Sequence, residues 1–143
     1  MSLGNEEPFP YRLYSVIYRP SVIAQRVTLL FGFYHDTRSW AIDQISMIDK
    51  TDGSDVFVDG DFESNYLTQS YERCILSSTI SASGDILFDL PFSRDFYYHD
   101  QTNGGMTYLF QSVDVIGGRY YNISFYLENR GYRSNAFVLI VGT

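Results

Sequence analysis

Cysteine, histidine and basic residues are scarce in this 143-residue sequence. It has one cysteine, Cys74, and two histidines, which excludes an internal disulfide and any metal site built from several cysteines. Ten Lys and Arg residues stand against 17 Asp and Glu residues, for a net charge of −7. A surface of this charge would repel the phosphates of nucleic acids and anionic membranes, so we expect neither as a partner. No apolar run is long enough to cross a bilayer, and the opening residues lack the pattern of a signal peptide.

Aromatic residues are abundant. They make up 17% of the chain, with 13 Tyr and 11 Phe. Tyrosine favours strands, because a ring that is partly apolar and partly polar suits a half-exposed pleated face. The hydrophobic fraction of 45% and the charged fraction of 19% are those of a globular protein. We therefore expect a single domain over residues 1–143.

Alternation of apolar and polar residues predicts strands throughout the chain. Residues that tolerate turn conformations, such as Asp52-Gly53 and Gly117-Gly118, separate these runs. No segment keeps a helical period, and the Ser-rich stretch 75–85 is predicted to be a surface loop with one irregular strand. Eight or more short strands predict an all-β fold with two sheets. The clearest predicted strands cover residues 11–18, 27–34, 120–127 and 135–141.

The segment 40–48 departs from simple alternation. Its apolar residues change parity after Ile42, so that Ile45 and Met47 share a face with Asp43. Either both faces of this strand are covered, or a β-bulge lies near Asp43. We favour the bulge, which would place the three apolar side chains in the core and turn Asp43 towards a sheet edge. A second short strand is predicted near residues 56–62.

Four short motifs, spread over most of the chain, carry a family likeness. They are Phe31-Gly-Phe-Tyr-His-Asp36 followed by Trp40-x-Ile42-Asp43-x-Ile45-Ser46, then Val58-Asp-Gly-Asp-Phe-Glu63, Leu109-Phe-Gln111, and Gly117-Gly-Arg-Tyr120-Tyr-Asn-Ile-Ser-Phe125. Together they resemble jelly-roll carbohydrate-binding modules of the galactose-binding-like type. The likeness implies a two-sheet jelly-roll β-sandwich and a lectin-like, extracellular or secreted protein.

The order of the motifs differs from that family. Residues 11–49 resemble the C-terminal strands of such a module, and residues 55–142 resemble its N-terminal and middle strands. The chain therefore resembles a circular permutant, in which segments 42–47 and 56–62 lie close together. If the chain did not close on itself, its first strands would dock on a neighbouring copy, giving domain-swapped or tandem-repeat self-association.

The resemblance also implies a structural calcium ion held by Asp43 and Glu63, and no other cofactor. Calcium prefers several oxygen ligands, which two carboxylates and nearby carbonyls can supply. The alternative is that Asp43 accepts backbone N–H groups at a bulge and Glu63 pairs with an arginine. The sequence departs from the family at Asp59, where an asparagine is usual, and at Gln44, where a second acid is usual.

Carbohydrate sites combine flat aromatic rings with polar side chains, because sugars present both C–H faces and hydroxyl groups. Tyr66 and Tyr71 belong to the wider set of candidates near loops. Catalysis is not expected, because no nucleophile-elbow motif occurs and the His35-Asp36 and His99-Asp100 neighbours point to opposite faces of a strand. We expect a non-catalytic carbohydrate-binding module, or alternatively a structural or adhesive repeat that contacts proteins without binding sugar. The ligand-contact candidates are Trp40, Tyr97, Tyr98, Gln111, Tyr126 and Arg130.

Overall fold

The computed structural model describes residues 1–75 and 83–143, and its architecture is almost entirely β. Within these two ranges there is one short helix, α1, which covers Leu67–Ser70. The strands are β1 (Ser2–Gly4), β2 (Phe9–Tyr18), β3 (Arg26–His35), β4 (Trp40–Asp49), β5 (Glu72–Ile75), β6 (Gly84–Leu87), β7 (Tyr97–Asp100), β8 (Thr107–Asp114), β9 (Tyr121–Asn129) and β10 (Asn135–Gly142).

These strands form two five-stranded sheets in which every pairing is antiparallel. Sheet A has the order β1-β10-β3-β8-β5, and sheet B has the order β2-β9-β4-β7-β6. The prediction of an all-β fold with two packed sheets is confirmed. The early strands β3 and β4 lie inside the sheets, where each pairs with later strands on both sides. Both sheets are thus completed within one chain.

Aromatic side chains fill the space between the sheets. Phe31 of sheet A is fully buried and meets Phe125 of sheet B edge to face, with ring centroids 5.7 Å apart. Phe137 lies 5.5 Å from Phe125 and packs on Trp40 at 5.9 Å. Along β9, buried and half-buried residues alternate without interruption. The alternation read from the sequence therefore identifies which face of β9 lies in the core.

The predicted bulge in β4 is confirmed, whereas the expected turn of Asp43 towards a sheet edge is wrong, because Asp43 is fully buried on an interior strand. Asp43 lies opposite Tyr126 and Ser46 opposite Ser124, so two residues of β4 stand against one residue of β9. Gln44 adopts a φ of 52°, which accommodates the extra residue. Because of this bulge, the apolar residues on both sides of it point into the core; these are Ile42, Ile45 and Met47.

The segment after β4 runs beside that strand but is not itself a strand, so this part of the prediction is wrong. Only an isolated bridge forms, between Ile48 and Asp55. The segment is instead held by single bonds, such as the Ile45 N–H to the Gly60 carbonyl at 2.8 Å. The backbones approach so closely that a Cβ atom at Gly60 would overlap the Ile45 carbonyl oxygen. The expected proximity of segments 42–47 and 56–62 is confirmed.

The predicted loop over 75–85 falls mostly on residues 76–82, which lie outside the described residues; its ends belong to β5 and β6. In the ranges that the structure describes, α1 has four residues, and no helix has the length and apolar character needed to span a membrane.

Candidate ligand-binding site

The outer face of sheet B, which points away from the core, is covered in part by the loop 88–96. Tyr126 and Glu128 project from β9 on this face, since they alternate with the buried Phe125 and Leu127. The ring of Phe92, from the loop, stacks on Tyr126 with centroids 3.6 Å apart and planes 15° apart. Tyr11 meets Phe92 edge to face at 5.6 Å. We call Tyr11, Phe92 and Tyr126 the aromatic cluster.

Two carboxylates hold this loop by its backbone. Asp43 accepts the N–H groups of Phe92 and Ser93 on one oxygen, at 3.0 and 3.1 Å. Glu63 accepts those of Asp95 and Phe96, both at 3.0 Å. The two acids singled out in the sequence therefore lie on the same structural feature, and each anchors one half of the loop.

The environment of Asp43 disfavours its charge. Burial raises the pKa of Asp43 to about 6, and the neighbouring charge of Glu63 acts in the same direction. Three N–H bonds oppose this rise, from Ser93, Gln44 and Phe92. A fully buried carboxylate with three donors is well satisfied for hydrogen bonds, yet it carries a desolvation cost at neutral pH.

The donor set around Asp43 and Glu63 supplies only part of a calcium site. Calcium takes six to eight oxygen ligands, whereas the described residues bring together no group of three or more His, Cys, Asp or Glu side chains able to hold a metal. In addition, backbone N–H groups already bind one oxygen of each carboxylate twice. The alternative expectation for Asp43 matches these contacts. The expectation that Glu63 pairs with an arginine is wrong. Glu63 accepts backbone N–H groups, and Arg94 pairs with Asp61.

Arg130 lies beside the aromatic cluster and is held in a fixed position. Its guanidinium donates to the Glu128 carboxylate at 2.8 Å, to the Tyr97 hydroxyl at 2.8 Å and to the Leu90 carbonyl at 3.2 Å. Tyr97 in turn donates to Asp89 at 2.6 Å. Burial raises the pKa of Tyr97 to about 12, so its hydroxyl keeps the proton that it donates.

An open cavity of about 440 Å³ adjoins the Arg130–Glu128 pair. Its walls combine apolar rings and chains with one charged pair, which is a composition typical of sites for amphipathic small molecules. The lining residues are Pro8, Phe9, Pro10, Leu90, Glu128, Asn129 and Arg130.

Three of the six ligand-contact candidates converge on this face, namely Tyr97, Tyr126 and Arg130. Tyr97 contributes through its hydroxyl group, since its ring is buried beneath Arg130. The other three lie elsewhere. Trp40 and Tyr98 are core residues, and Gln111 is buried on β8, where it bonds both the N–H and the carbonyl of Val58.

The prediction of ligand contact is therefore corrected for four buried residues, which are Trp40, Tyr97, Tyr98 and Gln111. Trp40 has no exposed surface, and its indole N–H is used by the Tyr34 carbonyl at 2.9 Å. Tyr98 donates its hydroxyl to the buried Asp100. Among the wider candidates, Tyr71 is a core residue and Tyr66 is exposed. Each of the corrected residues donates a hydrogen bond to a polar group of another residue in the fold.

Sequence reasoning missed Tyr11, Phe92, Leu90 and Glu128. Leu90 and Phe92 carried a sequence signal. In the loop 88–92, three apolar residues alternate with one acid and one proline, in the order Phe88-Asp-Leu-Pro-Phe92. Apolar side chains in such a loop are unusual unless they contact something, and Phe92 remains 42% exposed. Tyr11 and Glu128 carried no local signal, since only strand pairing and the loop bring them together.

The two histidines are not placed as acid–base pairs with their neighbouring aspartates. His35 is buried and bonds Asn129 through Nε2 at 3.1 Å, while its Nδ1 accepts the Arg38 N–H at 3.0 Å. Burial lowers the pKa of His35, so the neutral ring positions the turn around it. Burial also lowers the pKa of His99. The neighbouring Asp100 accepts hydrogen bonds from the Tyr98 hydroxyl, the Thr102 N–H and the Thr107 hydroxyl.

No family model, curated protein or solved structure matches this chain.

Proposed function

We propose that the protein is a non-catalytic, lectin-like carbohydrate-binding module that binds sugar at the outer face of sheet B. The observation that supports this is the aromatic cluster lying next to the Arg130–Glu128 pair. Tyr126 covers the inner face of the Phe92 ring, which leaves the outer face of that ring for a ligand.

The chemistry of this surface suits a sugar. A pyranose ring places its C–H groups against an aromatic face and directs its hydroxyl groups sideways. The Arg130–Glu128 pair supplies both a donor and an acceptor for such hydroxyls, and the bonds to Tyr97 and Leu90 hold the guanidinium in place before binding. A preorganised site loses less conformational entropy when the ligand binds.

We further propose that the sandwich is a circularly permuted, galactose-binding-like jelly roll acting outside the cell. The motif order in the sequence supports this, as does the position of the 56–62 segment against β4, which a permuted module requires. Calcium binding by Asp43 and Glu63 stays a prediction of the same likeness. Its support is the pair of interacting acids, of which Asp43 has a raised pKa that a cation would relieve.

The second candidate function is a structural or adhesive repeat. Exposed apolar side chains in and beside the loop 88–96, including Phe88 and Leu90, favour contact with a protein surface. The two functions differ in their dependence on polar contacts. Sugar binding requires the Arg130 fork, whereas an apolar protein contact would tolerate its replacement by lysine.

A glycan-array screen, with calcium and with a chelator, tests the proposed function. For any glycan that binds, we expect Phe92→Ala to weaken binding about threefold to tenfold through loss of the stacking ring. Arg130→Lys should weaken it too, because an ammonium group cannot replace the planar guanidinium that bonds Glu128, Tyr97 and Leu90 through three different nitrogens. Phe88→Ala, in the same loop but outside the cluster, is the matched control. Silence on the array in both conditions, or equal losses for Phe88→Ala and Phe92→Ala, would contradict sugar binding at this face.

A further inference from the structure

The edge strand β2 is unusually long and lacks protection. In the part of the chain that the structure describes, it pairs with β9 alone. The other three edge strands, β1, β5 and β6, have three or four residues, whereas β2 has ten. An edge of this length presents a row of free backbone N–H and C=O groups, which other strands can pair with.

The usual devices that block such an edge are weak here. Pro10 and a register shift between Phe9 and Arg12 both lie near the start of β2, and neither affects its central part. Both arginines of this region fold back onto rings of their own chain. Arg12 lies 4.5 Å from the ring centroid of Phe9, and Arg19 lies 5.0 Å from that of Tyr120. No acidic residue lies between Phe9 and Arg19. The edge therefore carries little charge that would repel a second strand.

Two outer side chains of β2, Leu13 and Ile17, are apolar and lie symmetrically on either side of Ser15. Leu13 is 58% exposed and Ile17 is 54% exposed, and both flank Ser15 on the outer face. The Ser15 hydroxyl donates to Oδ1 of Asn122 on β9 at 2.6 Å. An aliphatic residue on each side of a central small residue is a self-complementary pattern for antiparallel pairing.

We propose that β2 pairs with β2 of a second copy of this chain, joining the two B sheets into one continuous ten-stranded sheet. In the register that we infer, Ser15 faces Ser15 of the second copy and Leu13 faces its Ile17. On the inner side, Tyr14 faces Val16 and Arg12 faces Tyr18. Leu13 and Ile17, the exposed aliphatic residues of β2, then each lie opposite an aliphatic residue, and Arg12 lies opposite the tyrosine ring of Tyr18.

Neighbouring registers fit less well. A shift by one residue would place outer side chains of one copy on the inner side of the other. Shifts by two place Leu13 opposite Ser15, or Ile17 opposite Ser15 with Leu13 opposite Arg19. Each of these leaves an exposed aliphatic residue of the outer face, Leu13 or Ile17, without an aliphatic partner. The self-complementary register is therefore the one that favours a second copy over an unrelated strand.

The two-fold axis of this pairing is perpendicular to the sheet, so both outer faces point to the same side. Pro10 of the two copies would lie about 33 Å apart, at about 3.3 Å per residue. Where the proposed function holds, the dimer presents two sugar sites in one plane, which raises avidity for multivalent glycans. The pairing itself does not depend on sugar binding.

Sedimentation velocity over a concentration series tests the association. We expect the mass to rise reversibly from the 16.5 kDa monomer to twice that value. The double variant L13K/I17K should stay monomeric at every concentration, because four lysines would meet across the pairing. The double variant V22K/I140K makes the same change at two exposed aliphatic residues outside β2 and should dimerise as the unmodified chain does. Circular dichroism verifies that both variants fold. A chain that is monomeric throughout, or an equal loss in both variants, overturns the proposal.

Disulfide trapping tests the register in a Cys74→Ser background, which removes the single native thiol. Ser15→Cys should form a covalent dimer by itself. Leu13→Cys and Ile17→Cys should each form no covalent dimer alone, and they should cross-link when the two variants are mixed. Self-cross-linking of Leu13→Cys, or failure of Ser15→Cys, overturns the inferred register. Neither experiment contains sugar, so its outcome is separate from that of the glycan array.

Discussion

At the scale of single residues, Asp43 shows how a motif residue acquires a structural role. It lies at a bulge, where the local backbone turns it away from the core and towards the loop 88–96. Its oxygens then meet N–H groups that have no strand partner of their own. Glu63 does the same for the second half of that loop. These two residues position Phe92, and through it the aromatic cluster.

The raised pKa of Asp43 leads to a prediction for stability against pH. A rise from the ordinary value of 3.8 to about 6 corresponds to about 3 kcal/mol. Because the folded pKa is raised, this stabilisation is complete below pH 3.8 and is lost as the pH rises through 6. In chelator-containing buffer, the native chain should therefore lose up to about 3 kcal/mol of unfolding free energy relative to Asp43→Asn between pH 4 and pH 7.

Urea denaturation at several pH values measures this difference. Subtracting the Asp43→Asn curve removes the contributions of Asp49, Asp52 and Asp89, whose lowered pKa values act in the opposite direction. Parallel curves for the two proteins would show that Asp43 titrates normally. Adding calcium provides a second comparison. A bound cation would lower the pKa of Asp43 and remove the decline in the native chain alone.

At the scale of elements, the contact between β4 and the segment 55–62 is set by one close approach. The bulge displaces Ile45, and Gly60 then passes so near its carbonyl group that no side chain fits. Asp55 reinforces the contact by accepting the Met47 N–H at 2.9 Å. The segment 55–62 leads directly into Glu63. Its contact with β4 therefore also positions the carboxylate that anchors the second half of the loop 88–96.

We expect Gly60→Ala to destabilise the protein by about 1–3 kcal/mol, because the methyl group forces backbone atoms apart. Gly142→Ala is the matched control, since a Cβ atom at Gly142 meets nothing within 4 Å. Thermal unfolding of both variants measures the effect. The explanation fails if Gly60→Ala is as stable as Gly142→Ala. If it holds, sugar binding by Gly60→Ala should also weaken where the glycan array detects binding.

At the scale of the whole molecule, the first strands of the chain complete sheets formed by the last ones. β3 lies between β10 and β8, and β4 between β9 and β7. The amino end of the chain runs beside its carboxyl end, with Met1 and Leu139 exchanging two backbone bonds at 2.9 and 3.0 Å. Two sheets closed in this way depend little on where the chain is cut, provided that the cut falls in a turn.

A permuted chain tests this description. We expect a variant that starts at Gly53 and ends at Asp52, with Thr143 joined to Met1 by about six Gly and Ser residues, to fold into the same sandwich. Its loss of stability should be about 1–3 kcal/mol, from loosening the turn in which Arg119 pairs with Asp49 and Asp52. Cooperative unfolding and an unchanged far-ultraviolet spectrum would support it. A second permutant cut inside β9, between Ser124 and Phe125, should fail to fold. Failure of the Gly53 variant would contradict the expectation.

Local pattern was sufficient for the fold class. Alternation identified the core faces of β3, β9 and β10, and the change of parity after Ile42 identified the bulge, because side-chain direction in a strand is set by the backbone of that strand. The same logic could not separate a core aromatic from a surface aromatic. Trp40, Tyr97 and Tyr98 were all placed near loops, yet all three side chains are buried.

The acidic charge follows from composition, and local sequence patterns predict the two-sheet architecture and the bulge. The family likeness adds the closeness of segments 42–47 and 56–62. The position of the candidate site depends on the tertiary structure. The loop 88–96 crosses the outer face of sheet B, where Phe92 meets Tyr11 and Tyr126, although these residues are separated by 81 and 34 positions along the chain. Alternation is a property of neighbouring residues, whereas a surface is assembled from strands that pair at long range. For that reason the sheets could be predicted and the face proposed for binding could not.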